Sequence, residues 1–438
     1  MPDNYAAVLY GPNDVRIEKW PMPEINNDEL LIEISCVGIC GSDVKLYMTG
    51  RCGLEELVEP MVIGHEGAGI VAKVGSNVVG FCVGDRVAIE PTQPCGACEH
   101  CKRGEYNLCV RPRYCATTTG TGNLCTYYKH RADFCHKLPD NLSMEEGAAV
   151  QPLAIAVHAC RRARITLGAR LVILGAGPIG VLCAITARAM GATQILITVA
   201  QRHLGGKRIT TKPKDRFLQI AARRQLNVTA MQLIQRLQSE HQLLVSDQTV
   251  RRLHEANLHA RRPLRTSGLR RANRGRRLQW AREHLRWEDV VESRLETAKK
   301  MGADYTLLIR PEFSEQDVAD KIMATLGSPP DVTIEACGYS STQAVAMMVT
   351  RPGGTVVVVG IGPERVQVPL AAALLREVDV RGSYRIANTY PAALAAVSRG
   401  TVDLSPFITH HFPLNKIKEA IELAKTGAAM KIIIHVKP

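Results

Sequence analysis

The 438-residue chain lacks any apolar run near the ~20 residues that a bilayer span needs, so no membrane partner is expected. Its first residues, Met1–Pro12, lack a basic stretch followed by an apolar one; no secretory leader is expected, and the compartment read is the cytoplasm. Hydrophobic residues make up 46% and charged residues 22%, which excludes disordered and fibrous classes. At ~100–200 residues per domain, the length allows two to three domains. The most informative shortage is local. Residues 199–288 hold none of the 14 cysteines and only six Asp/Glu against 21 Lys/Arg, a net charge of +15. The other 348 residues carry 34 basic and 36 acidic side chains. The overall charge of +13, which in a uniformly basic chain would indicate nucleic-acid binding, therefore marks a basic block set into a near-neutral protein.

Outside that block the second half alternates short apolar runs with helical patterns. The runs are Leu171–Gly175, Ile195–Thr198, Tyr305–Ile309, Val332–Ala336 and Thr355–Gly360, with a helix expected over Val181–Met190. Continuous apolar runs separated by helices predict a parallel sheet covered on both faces. The first half is richer in Gly, Pro and short alternating runs such as Leu30–Ile34, Ala68–Val74 and Arg86–Ile89. That pattern predicts an antiparallel or barrel-like domain. The fold class is α/β.

GAGPIG at Gly175–Gly180 follows the first run of the sheet. In that place Gly175 permits a tight turn, Gly177 lets backbone approach a pyrophosphate, and Gly180 lets helix and strand pack closely; Ile179 lies in the same turn. The motif calls for an acidic residue ~20 positions on, at the tip of the next strand. That strand, ILIT, is followed instead by Val199. With residues 199–288 removed it runs into Asp289, and a helix follows from Glu292 to Met301. The block is thus read as inserted at the tip of the second strand, with its two ends close together.

Fourteen thiols without a leader read as metal ligands or reduced cysteines before disulfides. Cys95, Cys98, Cys101 and Cys109, spaced 3, 3 and 8 apart, can close a tetrahedral structural zinc site. Cys40 in GICGSD, with His65 and Glu66 in GHE, supplies donor types that suit a catalytic zinc. On spacing alone, a lone Cys and a lone His are more often core residues than ligands.

Taken together, GICGSD, GHEGAGIVAKVGSNV, GDRVAIEP, the four-cysteine lobe, FCHKLPDNLSMEEGA, VHACRR, GAGPIG and REVDVRG resemble the zinc-containing medium-chain dehydrogenases, especially their polyol-oxidising members. The resemblance covers residues 1–198 and 289–438. It implies a GroES-like catalytic domain over 1–153 and 385–438 and a Rossmann NAD-binding domain over 154–198 and 289–384. It also implies a catalytic and a structural zinc, and NAD-linked oxidation of a sorbitol-like polyol at C2 to a ketose. Cys40, His65 and Glu66 match the catalytic zinc positions, Asp289 and Arg294 the surroundings of the adenosine ribose, and Arg385 a substrate-contacting arginine. Ser42 is a candidate proton relay, or else a helix-capping serine. Relatives of this family are commonly homotetramers. Two positions depart from the pattern: Gln151 stands where the family has a glutamate that holds zinc-bound water, and Leu46 where relatives often place a pocket tyrosine. A neutral amide cannot take a proton or offset the metal's charge, so slower chemistry or weaker zinc binding is expected.

Within the basic block, Lys214–Gln225, Thr229–Glu240 and Ser246–Asn257 read as three helices, Thr229 and Ser246 being suitable N-caps. The short Leu243–Val245 connection fits a helix-turn-helix presenting Gln248, Thr249, Arg251 and Arg252 to a major groove, with Ala260–Arg265 as a basic arm. A solvated basic helical bundle is the other reading. The segment from about Asp215 to Trp287 resembles the DNA-binding region of mariner-type transposases, without their carboxylate catalytic domain. It implies nucleic acid as a partner of the insert only, and no strand cleavage. Two alternatives to an active dehydrogenase follow: a DNA-binding protein on a dehydrogenase scaffold, and a dehydrogenase inactivated by a transposon-derived insert.

Overall fold

The computed structural model describes residues 3–53, 55–200 and 290–437. These belong to one compact unit, Met1–Gln201 with Arg286–Pro438. The three helices, the helix-turn-helix and the basic arm expected between Lys214 and Arg265 lie outside the described residues.

The second half builds a six-stranded sheet from Arg170–Leu174, Gln194–Ala200, Tyr305–Ile309, Val332–Glu335, Thr355–Val358 and Asp379–Gly382. Numbered along the chain, the order across the sheet is 3-2-1-4-5-6, and every pairing is parallel. This is the doubly wound arrangement, in which ligands bind beyond the carboxyl ends of the strands where the order reverses. Apolar residues cover both faces. Ile173, Ile195, Ile197, Ile334 and Val357 pack into one buried cluster, while Val172, Leu174, Leu196 and Val356 pack into another.

The expected runs are all strands, with ends moved by a residue or two. The second strand continues beyond ILIT, since Val199 and Ala200 pair with Leu308 and Ile309. The compositional edge placed at Val199 therefore falls inside the sheet, where Val199 is 4% exposed. The chain returns already helical at 290 and stays so to 300, two residues ahead of the expected Glu292. Val291 shares a buried cluster with Ile197 and Val199, so the chain leaves and re-enters one core.

The first half folds around a seven-stranded, mostly antiparallel sheet. Glu29–Ile39 pairs antiparallel with Glu66–Val74, which pairs antiparallel with Arg86–Ile89, as the alternation predicts. On its other side Glu29–Ile39 takes the last strand of the chain, Lys431–His435. A 20-residue helix, Met144–Ala163, joins the two halves. It starts where it does because Ser143 caps it: the hydroxyl accepts from Glu146 N at 3.1 Å, and Glu146 Oε2 accepts from Ser143 N at 2.8 Å. Its buried residues share a cluster with Cys36, Ala68 and Ala88 of the first half and with Leu171 and Val181 of the second. The helix also contains Pro152, which cannot donate to the carbonyl of Ala148.

Candidate active site

Glu29–Ile39 ends at Cys40, which is the N-cap of the helix Gly41–Thr49. Ser42 is half-buried at the second helical position, in the first turn. Asp43, 3% exposed, accepts from Cys40 N at 2.9 Å and faces His65 Nδ1 at 3.4 Å. Burial disfavours a charged His65, yet the Asp43 carboxylate and the Cys40 sulfur hold its imidazole well above the ordinary value. The donor atoms of Cys40, His65 and Glu66 all lie within 4.8 Å of one another. A thiol, an imidazole and a carboxylate at that separation fit one zinc ion and leave a fourth position for another oxygen.

Glu66 has a second partner. Its carboxylate lies 2.9 and 2.6 Å from Lys431 Nζ, which also donates to Ile39 O at 3.0 Å. Glu66 and Lys431 are 1% and 2% exposed, so the pair is desolvated and each charge depends on the other. Gly38, paired with Glu66 across the strands, leaves the space that the carboxylate fills; a Cβ there would overlap Glu66 Oε2.

Tyr114 links the remaining site residues. The Gln151 amide donates to its hydroxyl at 3.4 Å, its ring lies 6.0 Å from the His65 ring, and the Arg385 guanidinium sits 4.4 Å above it. Gln151 is 3% exposed. Arg385 has φ +53°, in the left-handed region that non-glycine residues seldom occupy, and its guanidinium also lies 5.0 Å from the Tyr384 ring. Leu46 is 5% exposed and packs in the apolar core with Ile39 and Tyr47.

At the carboxyl edge of the parallel sheet each glycine of GAGPIG meets a separate demand. Gly175 has φ +119°, and a Cβ there would stand 2.6 Å from Cys337 Sγ. A Cβ on Gly180 would overlap the Gly175 carbonyl oxygen. Gly177 faces open space as N-cap of the helix Pro178–Ala189, which starts one turn earlier than expected. Ile179 lies in its first turn, partly buried against the core. Free helix N–H groups beside an open glycine suit a pyrophosphate. Arg294, on the returning helix, donates through Nε to Gly427 O at 3.1 Å. Asp289 lies outside the described residues.

Cys95, Cys98, Cys101 and Cys109 converge as their spacing predicts. The Cys98–Cys101 and Cys95–Cys101 sulfurs are 3.4 and 4.0 Å apart, bracketing the ~3.8 Å edge of a tetrahedron with ~2.3 Å zinc–sulfur bonds. Backbone N–H groups point at the sulfurs, Cys98 N at Cys95 Sγ (3.4 Å) and Cys95 N at Cys109 Sγ (3.3 Å). Donors of this kind, Ala97 N foremost, lower the Cys95 thiol to about 6. All 14 cysteines are unpaired, so the disulfide alternative does not apply.

Three residues of the site escaped the sequence reading. Asp43 stood inside GICGSD, and its position three residues after an N-cap was an available signal. Tyr114 and Lys431 carried none, because only the fold brings them near residues far away in the chain.

Comparison with known proteins accounts for the whole chain. Residues 26–140 match the alcohol dehydrogenase GroES-like domain, 288–399 the zinc-binding dehydrogenase family, and 215–286 a transposase family. The sorbitol dehydrogenase of Bombyx mori is 53% identical over 437 residues, covering 100% of both chains. The human sorbitol dehydrogenase is 37% identical, covering 100% of this chain and 97% of its own. A solved structure of the Escherichia coli oxidoreductase ECK1772, of unknown specificity, superposes with a TM-score of 0.73 at 26% identity over 100% of both chains. The fold of Escherichia coli L-idonate 5-dehydrogenase is shared as well, with a TM-score of 0.70 at 23% identity, covering 99% of this chain and 98% of the other. On its two dehydrogenase domains and its full-length relatives, the chain belongs to the sorbitol dehydrogenase family of zinc-binding dehydrogenases.

Proposed function

We propose that the protein oxidises a sorbitol-like polyol at C2 to a ketose, passing hydride to NAD. The observation that carries this reading is the convergence of Cys40, His65 and Glu66 beside Tyr114, Gln151 and Arg385. When bound at the first three residues, zinc supplies Lewis-acid polarisation of a hydroxyl, and NAD accepts the hydride. This chain's residues do the rest. Asp43 orients Cys40 and His65, Lys431 holds Glu66, and Arg385 binds a substrate hydroxyl. The C2 hydroxyl proton leaves through Ser42, while the C2–H bond breaks as hydride and C2=O forms. Gln151 orients the reacting oxygen's surroundings but carries no proton. Gly175, Gly177, Ile179 and Gly180 cradle the pyrophosphate, and Asp289 and Arg294 are the residues assigned to the ribose. Cys95, Cys98, Cys101 and Cys109 hold a structural zinc. The domain division follows the limits 1–153 with 385–438, and 154–198 with 289–384, except that the second strand carries the nucleotide-binding half on to Ala200, ahead of the inserted block.

The test is sorbitol-dependent NADH formation by purified, zinc-supplied full-length protein beside a variant lacking residues 201–288. Formation in both supports the reading. Formation in the deletion variant alone keeps the polyol chemistry and places the defect at the cofactor pocket. No NADH from either protein with any hexitol overturns it.

A second activity, DNA binding by the inserted block, draws support from the transposase family match and the excess of basic residues. Retention of duplex DNA by the full chain, falling steeply with salt, is the expected result; equal retention by the deletion variant overturns it. Cytoplasmic residence and homotetrameric assembly complete the proposal. Among the described residues no helix is long and apolar enough to cross a membrane.

A further inference from the structure

We propose that Cys36, His435 and Glu145 form a third metal site, for a borderline-soft divalent cation of the zinc type. The site shares no residue with Cys40, His65 and Glu66 or with the four-cysteine lobe.

Three elements build it. Cys36 and His435 are direct partners on the antiparallel strands Glu29–Ile39 and Lys431–His435, so their side chains project from one face. Glu145 stands in the first turn of the helix Met144–Ala163. One donor atom from each residue lies within 4.8 Å of the other two. The Cys36 Sγ to His435 Nδ1 separation is 3.6 Å, which matches the ~3.6 Å sulfur–nitrogen edge expected from ~2.3 and ~2.05 Å bonds at a tetrahedral zinc. The other ring nitrogen is also engaged: His435 Nε2 lies 3.0 Å from His411 Nδ1, with the rings stacked at 5.3 Å. A ligating histidine ordinarily has its second nitrogen fixed in this way, which sets the tautomer and the ring plane. With Nδ1 on the cation, Nε2–H donates to His411, and Glu145 Oε1 lies 4.0 Å from the same nitrogen, on the side from which its carboxylate reaches the ion.

Exposure and chemistry agree with this assignment. Cys36 is 3% exposed, whereas the side chains of Glu145 and His435 are 31% and 36% exposed, so the cluster has a dry thiol at its base and an entrance from solvent. Burial first, and the Glu145 carboxylate second, push the Cys36 thiol up to about 12. A bound cation has to displace that proton, and it then sits between the resulting thiolate and the Glu145 carboxylate. Soft sulfur with imidazole and one carboxylate selects zinc over magnesium or calcium. Bound there, the ion ties the last strand to the strand leading to Cys40 and to the helix carrying Gln151.

Full-length protein and its Cys36→Ser and His435→Gln variants are equilibrated by dialysis against ~10 μM free zinc and the bound metal is counted by mass spectrometry. The expected result is one equivalent more in the parent than in either variant, whatever the other two sites hold. Equal counts overturn the proposal. The partly exposed Glu145→Gln and His411→Ala serve where the buried substitution prevents folding. Each lowers affinity for the extra zinc about 10–100-fold in competition with a chromophoric chelator; undiminished affinity in both overturns the proposal as well. The counts are independent of polyol turnover, so they do not stand or fall with the dehydrogenase assignment.

Discussion

Gln151 is a buried amide, 3% exposed, whose nitrogen is 3.4 Å from the Tyr114 hydroxyl, and Tyr114 in turn borders His65 and Arg385. An amide keeps the shape of a glutamate and one acceptor, but neither its charge nor its ability to take a proton. Gln151→Glu restores both beside the Cys40–His65–Glu66 cluster. Zinc retention is expected to tighten about 10-fold, the lower end of what outer-sphere groups contribute, with a rise in kcat for sorbitol oxidation. Chelator competition and steady-state kinetics check this; a variant that holds zinc no better than the parent would mean that Gln151 does not act on the metal.

At the scale of elements, two junctions carry the site. The turn into the helix Pro178–Ala189 works because Gly180 lies against the Gly175 carbonyl. Gly180→Ala forces helix and strand apart, and NAD affinity, read by fluorescence titration, is expected to drop at least about 10-fold, or about 1.4 kcal/mol. The other junction is between the strands Glu66–Val74 and Lys431–His435. Removing one partner of a buried ion pair leaves an uncompensated charge, so Lys431→Met should destabilise by about 3–5 kcal/mol in urea unfolding; a change below about 1 kcal/mol would mean that Glu66 is held by something else.

These elements also mark how far the sequence could be read. Four parallel strands were readable because largely buried strands are continuous apolar runs, and Tyr305–Ile309, though only partly buried, is nearly as apolar. The sixth, Asp379–Gly382, was not: its residues are polar or small and largely exposed at the sheet edge. The apolar pattern starts the helix only at Val181, whereas it begins at Pro178, whose fixed φ suits a first helical turn. Four cysteines within 15 residues announce a metal lobe on their own. Cys40 and His65, 25 residues apart, needed the surrounding motifs, and Lys431 left no local trace.

For the whole molecule, the decisive fact is that Val199 and Val291 share one buried cluster although they are 92 positions apart in the chain. The dehydrogenase unit closes around the excursion. Asp289, proposed above to select the cofactor, directly follows the inserted block in the sequence, so the full chain is expected to bind NAD about 10-fold more weakly than the variant lacking residues 201–288; equal affinities by calorimetry would refute this. On the proposed homotetramer, the exposed apolar side chains Ile361, Leu370, Leu374 and Leu375, each at least 63% exposed, are the ones to test for contact with a second copy. Sedimentation is expected to show an oligomer that Leu374→Glu with Leu375→Glu weakens, and a monomeric parent would count against it. The pairing of Glu66 with Lys431 has a bearing on biosynthesis. The two residues are 365 positions apart, and at ~5–20 residues per second the ribosome adds the second roughly 20–70 s after the first. Through that interval the nascent carboxylate has no counter-ion, so the catalytic pocket matures only as translation ends, and messages truncated before codon 431 yield chains that cannot complete it.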